Sequence, residues 1–198
     1  MHFIGFYDYT VWLTYLSLVS AVIGLVQASR GNLLVAVICI IISGICDMFD
    51  GVVARTKKNR TQDQKNFGIQ IDSLIDLVAF GVLPAMVFYY HGVNSGLGIA
   101  ILVAYVLCGV IRLAYFNVLE TKRQANPEES ACAKEFRGIP ITSSAMFTPL
   151  VCAIAWVLPE GVRAVVYHAA PALMAFFFIY DIGIPKINIG AILSKNQK

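Results

Sequence analysis

The chain of 198 residues is 58% hydrophobic, contains 14% charged residues and has a formal net charge of +3. Its mean hydropathy of +0.72 is too high for a water-soluble domain, and its length allows several membrane spans of about 20 residues each. The composition indicates an integral membrane protein. Basic loops beside apolar helices favour contact with membrane lipids and phosphate, not with nucleic acid.

Six apolar runs predict an all-α integral membrane fold of six transmembrane helices, with residues 1–198 forming a single domain. The predicted helices lie near residues 9 to 28, 33 to 54, 68 to 91, 95 to 118, 138 to 158 and 161 to 181. Polar stretches at 56 to 67 and 120 to 136 predict two loops. No Lys or Arg precedes Arg30, so we expect the first run to be a retained helix and not a signal peptide.

The basic residues predict the orientation of the chain. Lys and Arg are concentrated in the two polar loops and the tail, whereas the opposite connections contain only Arg30 and Arg163. By the positive-inside rule, both termini and both loops are expected in the cytoplasm. We expect a protein of a prokaryotic plasma membrane.

Four aspartates lie at the predicted cytoplasmic ends of helices two and three: Asp47 and Asp50 on one, Asp72 and Asp76 on the other. Residues three or four positions apart share a helix face, so packing the two faces together gathers four carboxylates. Unpaired charges are costly in a membrane, and a divalent cation removes that cost. Oxygen-only ligands favour Mg²⁺ or Mn²⁺ over Zn²⁺, and four carboxylates are enough for two ions.

The aspartates belong to a longer motif, Asp47-x2-Asp50-Gly51-x2-Ala54-Arg55-x12-Gly68-x3-Asp72-x3-Asp76. This motif resembles the signature of the CDP-alcohol phosphatidyltransferases, and all eight of its fixed residues are present. The chain has more residues between Arg55 and Gly68 than the family usually has, and the additional ones fall in the predicted loop. The spacing within each helix is unchanged.

The resemblance implies roles for the motif residues. Asp47, Asp50 and Asp72 are the principal metal ligands, and Asp76 is the general base and also contacts the second metal. The CDP-binding residues are Asp47, Asp50, Gly51, Ala54, Arg55 and Gly68. An arginine suits this task because a guanidinium can bind phosphate oxygens bidentately. The family resemblance also implies a homodimer.

Two further segments point to the acceptor. Residues 112–117 (RLAYFN) end helix four, and residues 136–141 (FRGIPI) open helix five. Both resemble the phosphatidylserine synthase branch of the family, which implies CDP-diacylglycerol and L-serine as substrates. The serine carboxylate requires a cation, for which Arg112 and Arg137 are candidates. Asn117 could hold the amino group or orient Arg112, and Arg112 could instead extend to the headgroup layer or pair with an aspartate.

Two other functions are compatible with the residues. The same chemistry could use glycerol 3-phosphate, an inositol phosphate or glycerol as acceptor, or an archaeal-type lipid as donor. A cation or proton-coupled transporter could use the aspartates as a binding and relay site. A transporter predicts acids near the membrane midplane, whereas these lie at predicted helix ends.

Overall fold

The computed structural model describes residues 5–6, 9–57, 61–125, 135–181 and 183–185. Within these ranges the chain forms a helical bundle with one pair of three-residue strands, β1 (Glu135–Arg137) and β2 (Gly183–Pro185), paired antiparallel. The helices are α1 (Trp12–Ser29), α2 (Leu33–Thr56), α3 (Gln62–Tyr90), α4 (Gly96–Ala125), α5 (Ser144–Trp156) and α6 (Glu160–Ile179). Short 3-10 turns precede α1 and α5. The prediction of an all-α membrane fold is confirmed.

Five of these helices, α1 to α4 and α6, are long and apolar enough to cross a membrane. The remaining apolar segment, Ile141–Trp156, is shorter than the other five. By length and composition the described residues therefore support five spans, and the predicted count of six is not confirmed.

The third helix begins earlier than predicted, at Gln62 and not at residue 68. Thr61 forms a capping box: its hydroxyl accepts from the backbone N–H of Gln64 at 3.2 Å, and the Gln64 side chain accepts from the Thr61 N–H at 3.1 Å. Hydropathy located only the apolar part of α3. The predicted loop at 56 to 67 is therefore largely helix.

The other boundaries differ for local reasons. The fourth helix continues from residue 118 to Ala125 because the polar residues that follow are good helix formers. The fifth helix was predicted from residue 138, but Gly138 has a φ of +72° and Pro140 an extended backbone. These residues form a turn, and the helical segment begins at Ile141.

Small residues bring α1 and α2 into close contact. A Cβ added to Gly24 would lie 2.9 Å from the Cβ of Cys39, so a larger side chain does not fit there. Reciprocal hydrogen bonds join the same helices, from Ser43 to the Ser17 carbonyl at 3.1 Å and from Ser20 to the Cys39 carbonyl at 3.0 Å. These contacts pack α1 against the first half of α2.

The core of the bundle surrounds α3. In the most apolar stretch of α3, 61% of the residues are buried, against 33% or less in the other spans. Phe80 and Phe88 of α3 pack fully buried with Tyr105 of α4 and Phe178 of α6. The helix that carries Asp72 and Asp76 is thus held from several sides.

Candidate active site

The four predicted aspartates lie together where α2 meets α3. Carboxylate oxygens of Asp47, Asp50 and Asp72 all lie within 4.8 Å of one another. The side chain of Asp76 is within hydrogen-bonding reach of Asp47, and that of Asp72 within reach of Asp50. Asp76 is the most buried of the four, with 7% of its surface exposed. The helical spacing of the sequence is therefore realised as one acidic cluster between two helices.

This cluster meets the chemical requirements of a divalent cation site. The Oδ1 atom of Asp72 is buried and has no hydrogen-bond partner among the described residues. Several carboxylates this close together repel one another in a poorly solvated place, and a divalent cation relieves both the repulsion and the unsatisfied oxygen. The ligands are hard oxygen donors, as Mg²⁺ and Mn²⁺ prefer. The residues present fit such an ion.

A residue of the first helix also contacts the cluster. The hydroxyl of Thr14, which is buried in α1, donates to Oδ2 of Asp50 at 3.0 Å. This hydrogen bond restrains the orientation of the Asp50 carboxylate. Sequence reasoning did not identify Thr14, because a single threonine in an apolar helix has no distinctive spacing.

A cavity of about 430 Å³ opens beside the aspartates. Asp47, Asp72 and Asp76 line one part of it, and Arg112 of α4 lines another. The rest of the lining is formed by Leu113, Phe116, Gly138, Pro140, Ile141 and Thr142. The cavity thus brings three of the predicted metal-site residues together with one predicted acceptor residue.

Arg112 is held in place by the turn before α5. Its Nε donates to the carbonyl of Ile139 at 3.1 Å, and its Nη2 donates to the carbonyl of Gly138 at 3.2 Å. Arg112 is only 8% exposed. The two sequence segments that indicated serine therefore meet, and one orients the cationic side chain of the other.

Gly138 is required by this arrangement. Its φ of +72° lies in the left-handed region, where a side chain adds strain. An added Cβ would lie at an ordinary contact distance of 3.4 Å from the Arg112 Nε, so the backbone conformation and not a lack of space requires glycine. Sequence reasoning quoted this glycine within a motif but gave it no role, since a left-handed backbone cannot be read from one sequence.

Asn117 lies one and a half turns beyond Arg112 on α4. Its Oδ1 accepts a hydrogen bond from the Ser73 hydroxyl at 2.8 Å. Because Ser73 directly follows Asp72, this bond ties α4 to the part of α3 that carries Asp72. The bond links Asn117 to α3, and its predicted contact with the acceptor stays a prediction.

The helical turn that follows Asp76 is a π-helix, from Leu77 to Val82. Pro84 explains it: proline has no N–H to donate to the carbonyl of Phe80 four residues earlier, and its ring collides with that carbonyl in a regular α-helix. The wider turn avoids the collision, and the Leu83 N–H bonds to the Val78 carbonyl five residues back. The geometry of α3 therefore changes immediately after Asp76.

Tyr105 satisfies the carbonyl that Pro84 leaves without its usual donor. The buried phenol of Tyr105 donates to the Phe80 carbonyl, and its oxygen lies 2.8 Å from the hydroxyl of Ser144. Since the single phenol proton is used on Phe80, Ser144 is the donor in the second bond. These bonds join α3, α4 and α5 at the turn of α3 that follows Asp76. Neither Tyr105 nor Ser144 was identified from the sequence.

Of the remaining predicted residues, the structure describes the surroundings of Gly51 and Gly68. Gly51 is exposed, and an added Cβ there would meet nothing within 4 Å, which is consistent with an open approach for a ligand. Gly68 is half-buried on α3. The side chains of Ala54, Arg55 and Arg137 lie outside the described part of the structure, so their predicted contacts stay predictions.

Comparison with known proteins agrees with these features. The sequence model of the family described as CDP-alcohol phosphatidyltransferase matches residues 10–180. A CDP-diacylglycerol–serine O-phosphatidyltransferase of Helicobacter pylori is 38% identical over 125 residues, 62% of this chain and 48% of the relative. One from Saccharomyces cerevisiae is 36% identical over 124 residues, 61% of this chain and 41% of the relative.

An archaeal relative extends the similarity to another lipid chemistry. The archaetidylserine synthase of Methanothermobacter thermautotrophicus is 33% identical over 135 residues, 68% of this chain and 53% of the relative. The chain spans about half the length of the curated relatives it matches. The similarity therefore covers only part of each of these relatives.

Proposed function

The chain belongs to the CDP-alcohol phosphatidyltransferase family, and on this premise we propose that it transfers a phosphatidyl group from CDP-diacylglycerol to L-serine. The products are phosphatidylserine and CMP. Relatives named for transfer to serine support this choice of acceptor. The part of the chain that matches the family model contains the complete signature motif, so the chemistry is assigned to this part.

The observation that carries the proposal is the cavity shared by the aspartates and Arg112. A phosphatidyl transferase must hold a negatively charged diphosphate, a small polar acceptor and a base in one place. The acidic cluster provides the metal ligands and the base, and Arg112 provides a cation within the same cavity for the carboxylate of serine. A neutral acceptor such as glycerol would have no use for a buried guanidinium.

The reaction is a direct displacement at phosphorus. The serine hydroxyl attacks the phosphorus that carries the diacylglycerol, the bond from this phosphorus to the bridging oxygen breaks, and CMP leaves with that oxygen. We assign Asp76 to accept the hydroxyl proton, because it lines the cavity and is the innermost of the four aspartates. No covalent intermediate with the protein is required.

Asp47, Asp50 and Asp72 are the residues that would hold Mg²⁺ or Mn²⁺, with Asp76 contributing to a second ion. A bound divalent cation would neutralise the diphosphate and the charge that develops on the leaving CMP. Thr14 keeps the Asp50 carboxylate in its ligating orientation. Gly51, Ala54, Arg55 and Gly68 are proposed to accommodate the CDP group beside this cluster.

The site belongs at a membrane surface. The aspartates lie in the last turns of α2 and the middle of α3, close to the polar start of α3. We propose that this side is cytoplasmic, with both termini on it, because the basic loops adjoin it. The lipid tails of the donor then remain in the bilayer while serine enters from water. A homodimer is proposed from the family resemblance.

The test is an acceptor panel with protein purified in detergent. CDP-diacylglycerol and Mn²⁺ or Mg²⁺ are supplied with serine, glycerol 3-phosphate, an inositol phosphate, glycerol or no acceptor, and CMP release is measured. Release that depends on serine is expected. Release with a different acceptor would retain the metal site and contradict the assignment of Arg112 to serine. If no acceptor supports CMP release, the result would favour the transporter hypothesis instead.

A second donor is favoured by one specific comparison. The similarity to a relative named archaetidylserine synthase suggests that the domain also suits an archaeal-type CDP-lipid. Repeating the panel with serine and both CDP-lipids at equal concentration measures the preference. A large ratio of kcat/KM identifies the natural donor class.

A further inference from the structure

A second cavity lies at the end of the bundle opposite to the aspartates and has a volume of about 800 Å³. Its apolar wall is the first part of α2, residues 33–41, and the facing wall is the second half of α5. On α2, its last lining residue, Ile41, lies six positions or about 9 Å of helix before Asp47, and the two cavities share no lining residue. This cavity is therefore separate from the one beside the metal site. We call it the far crevice.

A close contact between α2 and α5 lies next to the far crevice. At the contact, a Cβ added to Gly44 would lie 2.5 Å from the Cβ of Ala145. Beyond it, Ile38 and Ile41 of α2 face a wall of α5 that includes the small side chain of Ala153. The two helices thus form opposite walls of an apolar slot.

The slot has the depth of half a membrane. Residues 33–41 of α2 cover about 12 Å of helix, and the hydrocarbon layer of one leaflet is about 15 Å thick. The polar residues are at the outer end of the slot: His91 follows the end of α3, and Arg163 lies in the first turn of α6. The far crevice is thus apolar along its depth and cationic at its mouth.

Arg163 is fixed at this mouth. Its Nε donates to the carbonyl of Ala155 at 3.1 Å and its Nη2 to the carbonyl of Leu158 at 3.0 Å. These bonds cap the end of α5 but leave the positive charge without a counter-charge, since no ion pair of Arg163 is present in the described ranges. Glu160, the nearest acid in sequence, is exposed one turn earlier.

His91 completes the polar end without adding a second charge. Its Nδ1 lies 2.8 Å from the Val87 carbonyl, and its ring packs 4.6 Å from the ring of Tyr167. Burial lowers the pKa of His91, the hydrogen bond to Val87 opposes this shift and the charge of Arg163 adds to it, so the net shift disfavours the charged imidazolium. The ring remains a hydrogen-bonding group beside the guanidinium.

We propose that the far crevice binds one anionic phospholipid of the leaflet opposite to the active site. Its phosphate contacts Arg163, and an acyl chain lies in the slot between α2 and α5. The single unbalanced cation at the mouth and the apolar depth of one leaflet both match this ligand. A second copy of the chain would fill the slot with apolar side chains but leave Arg163 without an anion.

Native mass spectrometry of the purified protein tests the proposal, because it reports bound lipid and oligomeric state together. Phosphatidylglycerol and phosphatidylcholine with identical chains are titrated separately, neither being the proposed substrate or product, and inorganic phosphate is titrated alone. We expect one tightly bound phosphatidylglycerol per chain, and no comparable binding of phosphatidylcholine or free phosphate. Equal binding of the two lipids would contradict the proposal.

Variants locate the bound lipid. Arg163→Gln should weaken phosphatidylglycerol binding about 5-fold or more, Arg163→Lys should restore part of it, and Ala153→Phe should block the slot without touching the charge. Arg30→Gln is the matched control, because Arg30 is an exposed arginine in the turn before α2 at the same end of the bundle. Arg163→Gln also removes the hydrogen bonds that cap the end of α5. Ala153→Phe keeps these bonds, so it tests lipid binding independently of the cap.

Two results would overturn the proposal. Unchanged lipid preference in Arg163→Gln and Ala153→Phe would place the lipid elsewhere. A change from dimer to monomer in Ala153→Phe, with lipid binding unchanged, would assign the far crevice to a second copy of the chain. Neither readout depends on catalysis, so failure of the proposed function and failure of this proposal are distinguishable.

Discussion

The π-helical turn after Asp76 makes a prediction about Tyr105, which contacts no proposed substrate. In Tyr105→Phe the ring still fills its place, but the Phe80 carbonyl loses its donor while Pro84 offers none. A buried, unsatisfied polar group costs about 1–3 kcal/mol. Ser144 can redirect its hydroxyl to its own helix, so the carbonyl carries most of this cost.

The expected result is a loss of both stability and turnover. If the π-turn relaxes to avoid the unsatisfied carbonyl, Asp76 moves relative to the other aspartates. An effect of about 1–3 kcal/mol on the transition state corresponds to a fall in kcat of about 5- to 150-fold. The KM for CDP-diacylglycerol should change little, because Tyr105 bonds to Phe80 and Ser144, which are not among the residues proposed to bind CDP.

The assay combines thermal unfolding in detergent with steady-state CMP release. Ser20→Ala is the control, since it also removes a buried hydroxyl-to-carbonyl bond between helices, but one that joins α1 to α2. It should lower stability and leave kcat unchanged. In a Pro84→Ala background the Phe80 carbonyl regains an N–H donor, so Tyr105→Phe should cost less stability there.

One result would refute the reasoning. If Tyr105→Phe destabilised the protein but left kcat as high as in Ser20→Ala, the π-turn would not position Asp76. Likewise, Tyr105→Phe could lower stability equally in the wild-type and Pro84→Ala backgrounds. That result would show that Pro84 is not the reason for the bond from Tyr105 to the Phe80 carbonyl.

Four further predictions concern the site itself. Asp76→Asn should lower CMP release by at least about 100-fold, the scale of general-base catalysis, whereas Asp63→Asn, an exposed acid in the first turn of α3, should not. Arg112→Lys should lower kcat/KM for serine about 10- to 150-fold through loss of charge-assisted hydrogen bonds, mainly by raising KM in a serine titration. Gly138→Ala should cost about 1–2 kcal/mol in thermal unfolding, because its backbone is left-handed, and should also raise the serine KM. Chelation with EDTA should abolish CMP release, and Mg²⁺ or Mn²⁺ but not Zn²⁺ should restore it; full activity after chelation would contradict the metal site.

The sequence predicted the parts of the site that follow from helical periodicity. Asp47 and Asp50 are three residues apart, and Asp72 and Asp76 four, so each pair must share a helix face whatever the rest of the fold does. Hydropathy located the apolar helices because a run of about 20 apolar residues is a local feature of the sequence. That these two faces meet was an inference from the cost of unpaired charge, and the structure agrees.

The features that the sequence did not predict depend on contacts between distant residues. Thr14 contacts Asp50 across 36 positions, and Tyr105 contacts Phe80 across 25. No local pattern marks such pairs. The start of α3 was missed for the opposite reason: the capping box at Thr61 is visible in the sequence, but hydropathy does not respond to polar turns that lie beyond the apolar run.

The central claim is that the acidic cluster transfers a phosphatidyl group directly to serine. The most direct measurement follows radiolabelled serine into lipid and CMP into solution in the same reaction, with wild type and Asp76→Asn compared. Equal amounts of lipid-linked serine and CMP in the wild type, and neither in the variant, are predicted. CMP formed without lipid-linked serine would show hydrolysis of the donor instead, and would contradict the claim.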